Sequence, residues 1–415
     1  MIRSVPGRLV GMKRAYRFLL QQRFQSTQAT ATADAYAYAA AAATVASSDD
    51  FEDLQATIRE YDKLKPRPQS LHNILKASNH LRDENKTFLR EEFSIRCAER
   101  ICVLEEKIPN FRDIPELNTV HTKHVLSFQD LMHHASNSTL ENFTPVIRGI
   151  ADREQDIIPL MCRGMARRLI VNQQTPDDQE TFTNTFLDDF LLNRIGSNVL
   201  MSQYLSVVQK EPSNIIDPNC NVMAICRFTA KAVEDLCAKE TGFKPTIHVE
   251  TFDRCSSNMD NFAFIPKALS YILQELLKNS AFATANNQQR IQQEEDSDIS
   301  IIVCADERHV MIHVADKAGG IPFDVQPHIW SYLYTTTKKR TDGEDSKTRL
   351  SGFGVGLPIS RLYANYLGGS LNLVSLPGYG SHAYLFLPRL PEKLVETVPV
   401  RSEGWSVRPS SEFIL

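Results

Sequence analysis

SGFGVGLPISRLYANYLGG, residues 351–369, is the stretch around which the chain is organised. Gly352, Gly354 and Gly356 alternate ahead of Leu357-Pro358, and the run then opens a helix. Glycines at this spacing let backbone N–H groups line up on phosphates, and a helix N-terminus favours anions. A G-x-G-x-G run also occurs in dinucleotide folds, where it follows the first strand of a βαβ unit. Here it follows a long polar segment near the C-terminus, which argues against that fold. There is no G-x-x-x-x-G-K-[ST], so this is no P-loop, and no HRD or DFG set, so it is no ordinary protein kinase.

Working outward, the preceding segment TTTKKRTDGEDSKTRL (335–350) is charged and lacks apolar periodicity, which suits a functional lid or a disordered loop. Before it, ISIIVCA and HVMIHVAD flank a short polar turn and read as a β-hairpin. The second strand delivers Asp316 into DKAGGI, with Gly319 and Gly320. A carboxylate at a strand end, beside a backbone open to close approach, suits an exocyclic amine. Further upstream, Leu269, Ile272, Leu273, Leu276 and Leu277 recur at helical spacing, predicting a helix over 266–287. Within it, ELLKNS (275–280) sets Glu275 and Asn279 four apart on one face. An amide oxygen can ligate Mg²⁺, and a carboxylate can deprotonate an attacking hydroxyl. Alone, D-x-x-G-G reads as a turn, and a Glu and an Asn on a helix read as a solvated face. Their order and spacing give them a role. TIHVET (246–251) reads as a further strand, and SLNLVSLP with SHAYLFLP as a closing hairpin.

The 415 residues suffice for two domains and a substantial core. A net charge of −4 offers no nucleic-acid footprint, and no apolar run approaches the roughly 20 residues of a membrane span. The eight cysteines lack C-x-x-C pairing and read as thiols in a reducing compartment. Arg3, Arg8, Lys13, Arg14, Arg17 and Arg23 precede the first acid, Asp34, amid Val10, Met12, Leu19 and Leu20. A basic amphipathic leader of this kind marks a mitochondrial transit peptide, expected over 1–27. Its removal would leave an acidic chain. Residues 28–66 are Ala/Thr/Ser-rich and read as a linker. From 67 to 212 the pattern is helical, with runs near 70–80, 84–107, 120–135, 140–170 and 180–208 predicting an antiparallel bundle. His121, His124, His133 and His134 in this region lack the spacing of a metal site and read as structural. Residues 213–390 form a mixed α and β domain, and 391–415 a tail without periodicity. The fold class expected is α+β, a helical bundle followed by an α/β sandwich.

The order Glu/Asn helix, Asp strand, threonine-bearing lid, GxGxGLP helix and closing hairpin resembles the ATP-binding domain of histidine kinases and gyrase-type ATPases. ELLKNS, SYLYTTT, SGFGVGLPISRLYANYLGGSLNLVSLPGYGS and IDPNCNV are similar to the mitochondrial pyruvate and branched-chain 2-oxoacid dehydrogenase kinases. LREEFSIR (89–96) and DIIPLM (156–161) resemble bundle segments of that family, so the likeness spans roughly 68–390. The resemblance implies a serine kinase of the mitochondrial matrix that uses ATP and Mg²⁺. It would inactivate the decarboxylating subunit of a 2-oxoacid dehydrogenase complex. Partners would be that subunit, the lipoyl-bearing core and a second copy of the chain.

By the same resemblance, Glu275 is the general base, with Lys278 beside it in the catalytic motif, and Asn279 the Mg²⁺ ligand. Asp316 bonds the adenine amine, with Gly320 in its turn. Thr335 and Thr336 stand near the nucleotide. Gly352, Gly354, Gly356 and Leu357 cradle the phosphates, and Ser381 stands where the family usually has Thr. The chain departs from the family at Phe282 (usually Arg), Ala318 (Gly), Glu154 (His) and His382 (Asp), and Trp405 lacks a preceding Asp. IDPNCNV and SYLYTTT lean towards the pyruvate type, whereas Tyr271 and the tail lean towards the branched-chain type; pyruvate stands slightly ahead. A histidine-autophosphorylating kinase would need a bundle His followed by an acid, which neither His121 nor His124 has. The remaining alternative is an ATP-binding scaffold that does not transfer phosphate.

Overall fold

Alternation with period two appears where the strands were expected. Ile299, Ile301 and Val303 are buried on one strand, and Val310, Ile312 and Val314 on the next. The computed structural model describes residues 48–70, 73–74, 83–133, 140–171, 175–208, 215–252, 262–291, 298–336, 354–389 and 396–399. In chain order the bundle comprises α1 (Ser48–Asp62), α2 (Asp83–Lys107), α3 (Pro115–His133), α4 (Leu140–Arg153), α5 (Ile157–Val171) and α6 (Pro176–Val208). The second region comprises α7 (Val222–Thr241), β1 (Thr246–Thr251), α8 (Pro266–Ile291), β2 (Asp298–Ala305) and β3 (His309–Asp316). It continues with α9 (Gly356–Tyr366), β4 (Ser370–Leu376) and β5 (Gly380–Pro388). The α+β expectation holds: a helical bundle precedes a sheet with helices on one face.

The sheet runs β1-β2-β3-β5-β4; β1 is parallel to β2 and the other pairings are antiparallel. Helices α7, α8 and α9 cover one face. α8 buries Leu269, Ile272, Leu273, Leu276 and Leu277, each worth about 1.5–3 kcal/mol of transfer free energy. Those apolar positions fix the rotation of α8, and therefore which side chains it leaves outward. The core is continuous from this domain into the bundle, where Phe186, Leu187, Phe190, Leu191 and Ile195 of α6 join it.

Two expectations needed correction. Residues 48–62, assigned to the linker, form α1, because Leu54, Ile58 and Tyr61 pack on Cys97, Ala98, Ile101, Cys102 and Phe128. The run 140–170 is two helices, interrupted between Arg153 and Ile157. Pro159 then falls in the first turn of α5, where its missing N–H costs nothing. Helix α7 adds to the elements expected: Asn221 caps it by accepting from the Ala224 N–H at 2.9 Å, and Gly242 ends it at φ 78°. The described part of the tail, 396–399, has no regular secondary structure, and Glu396 within it is buried. The transit peptide, most of the 70–80 run, residues 337–353 and Trp405 lie outside the described residues. No described cysteine forms a disulfide. Among the described residues no helix is long and apolar enough to cross a membrane.

Candidate active site

Burying the leucines of α8 turns Glu275, Lys278 and Asn279 away from the core. Lys278 donates from Nζ to Glu275 Oε1 at 2.5 Å, and both side chains are largely covered. Glu275 Oε2 lies against Gly356, the first residue of α9, so closely that a Cβ there would collide with it. The carboxylate therefore rests at a helix N-terminus, where unpaired N–H groups and the helix dipole favour negative charge. Asn279, one turn along, is exposed. A carboxylate and a helix N-terminus thus meet at one point.

Asp316 ends β3 and is only 5% exposed. Ser280, from the same α8 motif, donates Oγ–H to its Oδ2 at 2.7 Å. The Ala318 and Ser381 N–H groups donate to its Oδ1 at 3.1 and 3.3 Å. Burial raises its pKa above the usual value, while these three donors oppose the rise. A carboxylate accepts about four hydrogen bonds, so one position remains for a ligand donor. Ser280 was within the quoted motif yet passed over, because nothing in a linear sequence aims it at Asp316.

Ser381 reaches Asp316 through its backbone, while its Oγ pairs with Ser375 Oγ at 3.0 Å. Gly320, at φ 66°, packs on the Leu376 carbonyl and shapes the turn under the site. Gly354, at φ 70°, fits against the Tyr334 carbonyl, where any Cβ would clash. Leu333 donates its N–H to Gly354 O at 3.0 Å, so the SYLYTT segment docks directly on the glycine loop. Thr335, half-buried, and Thr336, exposed, follow directly on this docked segment. Gly352 lies outside the described residues.

The same segment is anchored to the bundle by α6. Glu180 accepts from Ser331 Oγ at 2.5 Å and pairs with His328 at 2.9 Å. Asn184 accepts from the Tyr332 N–H at 2.9 Å, and Asp188 from the Tyr332 hydroxyl at 2.7 Å. Glu180, Asn184 and Asp188 recur every four residues, a helical stripe legible in the sequence but with an unreadable partner. The departures also have places. Phe282 packs on the core, His382 pairs with His313 at 3.0 Å, and Glu154 is buried beside Arg100 at 2.8 Å. His121 pairs with Glu105 at 2.8 Å and His124 with the Val120 carbonyl at 2.7 Å. His133 is exposed, and His134 lies outside the described residues. Among the described residues no cluster of three or more His, Cys, Asp or Glu could hold a metal.

The family profile of mitochondrial branched-chain alpha-ketoacid dehydrogenase kinase matches residues 68–225. That of the histidine kinase-, DNA gyrase B- and HSP90-like ATPases matches residues 265–391. Similar to the chain is the mitochondrial pyruvate dehydrogenase (acetyl-transferring) kinase of Arabidopsis thaliana, 31% identical over 73% of this chain and 84% of that one. Isozyme 4 of the human kinase is 28% identical over 83% and 86%, and isozyme 3 of the mouse kinase 28% identical over 86% and 92%.

Proposed function

The chain belongs to the mitochondrial pyruvate and branched-chain 2-oxoacid dehydrogenase kinase family, and we propose that it phosphorylates a serine of the decarboxylating subunit, inactivating that complex. It is an ATP-binding kinase of mitochondria, and the matrix is the compartment this reading gives it. The pyruvate complex is the favoured substrate over the branched-chain one, in keeping with the pyruvate dehydrogenase kinases it resembles. The lipoyl-bearing core and a second copy of the chain complete the proposed partners.

The observation carrying this reading is the seat of Glu275 on the first residue of α9. Phosphoryl transfer asks chiefly for positioning and charge neutralisation. With the phosphates on the backbone at Gly354, Gly356 and Leu357, an incoming serine hydroxyl would meet Glu275. As its Oγ bonds to the γ-phosphorus, the proton passes to the carboxylate and the β–γ bridging oxygen leaves with ADP. Lys278 holds Glu275 in place, and the spare acceptor of Asp316 takes the adenine amine. Asn279 would offer its exposed amide oxygen to Mg²⁺, which would supply charge neutralisation at the phosphates.

The test is transfer of radiolabelled γ-phosphate from ATP to purified pyruvate and branched-chain complexes by wild type and Glu275→Gln. Wild type should label and inactivate the pyruvate complex, and the variant should lose about 10²–10⁴-fold in rate. Labelling of the branched-chain complex alone would overturn the substrate assignment. ATP binding with neither complex labelled would leave the scaffold reading.

A further inference from the structure

One residue in the tail, Glu396, bonds to three other segments of the molecule. Glu396 exchanges backbone and side-chain bonds with Gln69: its N–H donates to Gln69 O at 2.8 Å, and its Oε1 accepts from Gln69 N at 3.0 Å. Arg96 of α2, fully buried, donates to Oε1 at 2.5 Å and to Oε2 at 3.2 Å, while its Nε donates to Glu92 at 2.8 Å. The Tyr366 hydroxyl, at the last residue of α9, donates to Oε2 at 2.7 Å. Gly196 of α6 leaves room for the guanidinium, since a Cβ there would collide with Arg96 and lie 2.8 Å from Glu396 Oε2. Thr397 adds bonds to the Tyr366 and Asn365 carbonyls at 3.3 and 3.2 Å, at the helix end. Burial works against the charge on Arg96, but Glu396 and Glu92 outweigh it and hold the guanidinium above its ordinary pKa.

We propose that Glu396 is a positioning residue, a clasp through which the seated tail sets α9 and so the nucleotide affinity of its far end. α9 spans 11 residues, about 16 Å as a rigid rod, from Tyr366 in the clasp to Gly356 against Glu275. A tilt imposed at one end therefore displaces the other. Buried ion pairs add little net stability, because desolvation offsets their attraction, so geometry is what such a cluster supplies best. The inference rests on reading the α9 N-terminus as the phosphate site.

The experiment compares ATP dissociation constants and KM values of full-length wild type, Glu396→Gln, Tyr366→Phe and Ile58→Ala, well below their melting temperatures. Glu396→Gln keeps the size and leaves Arg96 paired with Glu92, while Tyr366→Phe keeps the ring and removes one bond. Ile58, buried in the small α1–α2 cluster, is the destabilised control. Both clasp variants should bind ATP about tenfold more weakly, within the range of ordinary coupling between sites, and KM should rise in step. Ile58→Ala should lower the melting temperature without that change. If clasp variants lose only melting temperature, as Ile58→Ala does, the clasp is structural and the inference falls. A wild type that binds no ATP would fail the phosphate-site reading first, and the clasp with it.

Discussion

The bundle and the nucleotide face use the same residue types in opposite ways. In the bundle, charges are matched to one another: buried Arg100 with buried Glu154 at 2.8 Å and, nearer the surface, Arg153 with Asp130 at 2.6 Å and Lys123 with Asp156. Asn193 similarly donates to Glu99 at 2.6 Å. On the nucleotide face, Asn279 and Thr336 are exposed, Asp316 keeps one acceptor position, and Glu275 rests on an open helix end. Polar groups that close on each other hold a fold together, whereas groups with capacity left over are available to a ligand. Glu154 illustrates the charge pairing of the bundle, with one oxygen bonded to Arg100 and the other near Arg194 at 4.0 Å without a hydrogen bond. It stands where the family resemblance places a histidine, yet Arg100 and the nearby Arg194 enclose it.

If that contrast is right, Glu154→Ala should produce the largest change in stability. It strands the buried guanidinium of Arg100 and removes charge from beside Arg194, a loss of about 3–5 kcal/mol. Chemical denaturation measures it. Phosphate transfer below the melting transition should persist, because neither Glu275 nor α9 depends on this pair. A variant equally stable to wild type would show that the bundle charges are not mutually required.

Asp316→Asn probes the other region and should do the reverse. An asparagine can still accept from Ala318 and Ser381 and meet Ser280, whose hydroxyl can turn to accept, so the fold should be retained. At the remaining position its amide could present a donor to the adenine amine, also a donor. Loss of a hydrogen bond to a charged group is worth about 1.5–3 kcal/mol, or roughly 10- to 100-fold in ATP affinity. Calorimetric titration with ATP decides it; unchanged affinity would remove Asp316 from the nucleotide site.

What the sequence disclosed follows from the range of each interaction. TIHVET, the 298–316 hairpin and the closing hairpin were legible because strand alternation is local. That Glu275 and Asn279 share one face of α8 was legible because four residues make about one helical turn. Helix α7 carried Asn221 and Gly242 as start and stop, but its polar surface residues diluted the apolar period of Val222, Cys226, Ala230, Val233 and Cys237. α1 was hidden by a low-complexity neighbour, since three apolar residues on a short helix gain meaning only from α2. Glu396 was beyond reach altogether. It is 300 residues from Arg96, and a lone Glu in a tail looks solvated until the fold brings the two together.

Asp189 of α6 stands at the boundary and should give the smallest effect. Burial, then Asp188 and Glu99, push its carboxyl up to about 7 against the pull of Lys107. Its Oδ2 has no hydrogen-bond partner among the described residues, whereas its neighbour Asp188 binds Tyr332 of the segment beneath the glycine loop. Because the folded-state pKa lies above the ordinary 3.8, the folded chain holds this proton more tightly than the unfolded one. Its contribution therefore becomes unfavourable as pH rises from about 4 to about 7 and stays level beyond. Asp189→Asn removes that slope. Near pH 4 the variant should melt with wild type, and near pH 8 it should melt a few degrees higher. A melting difference independent of pH would mean that Asp189 is ionised or protonated alike in both states, making it an ordinary member of the bundle.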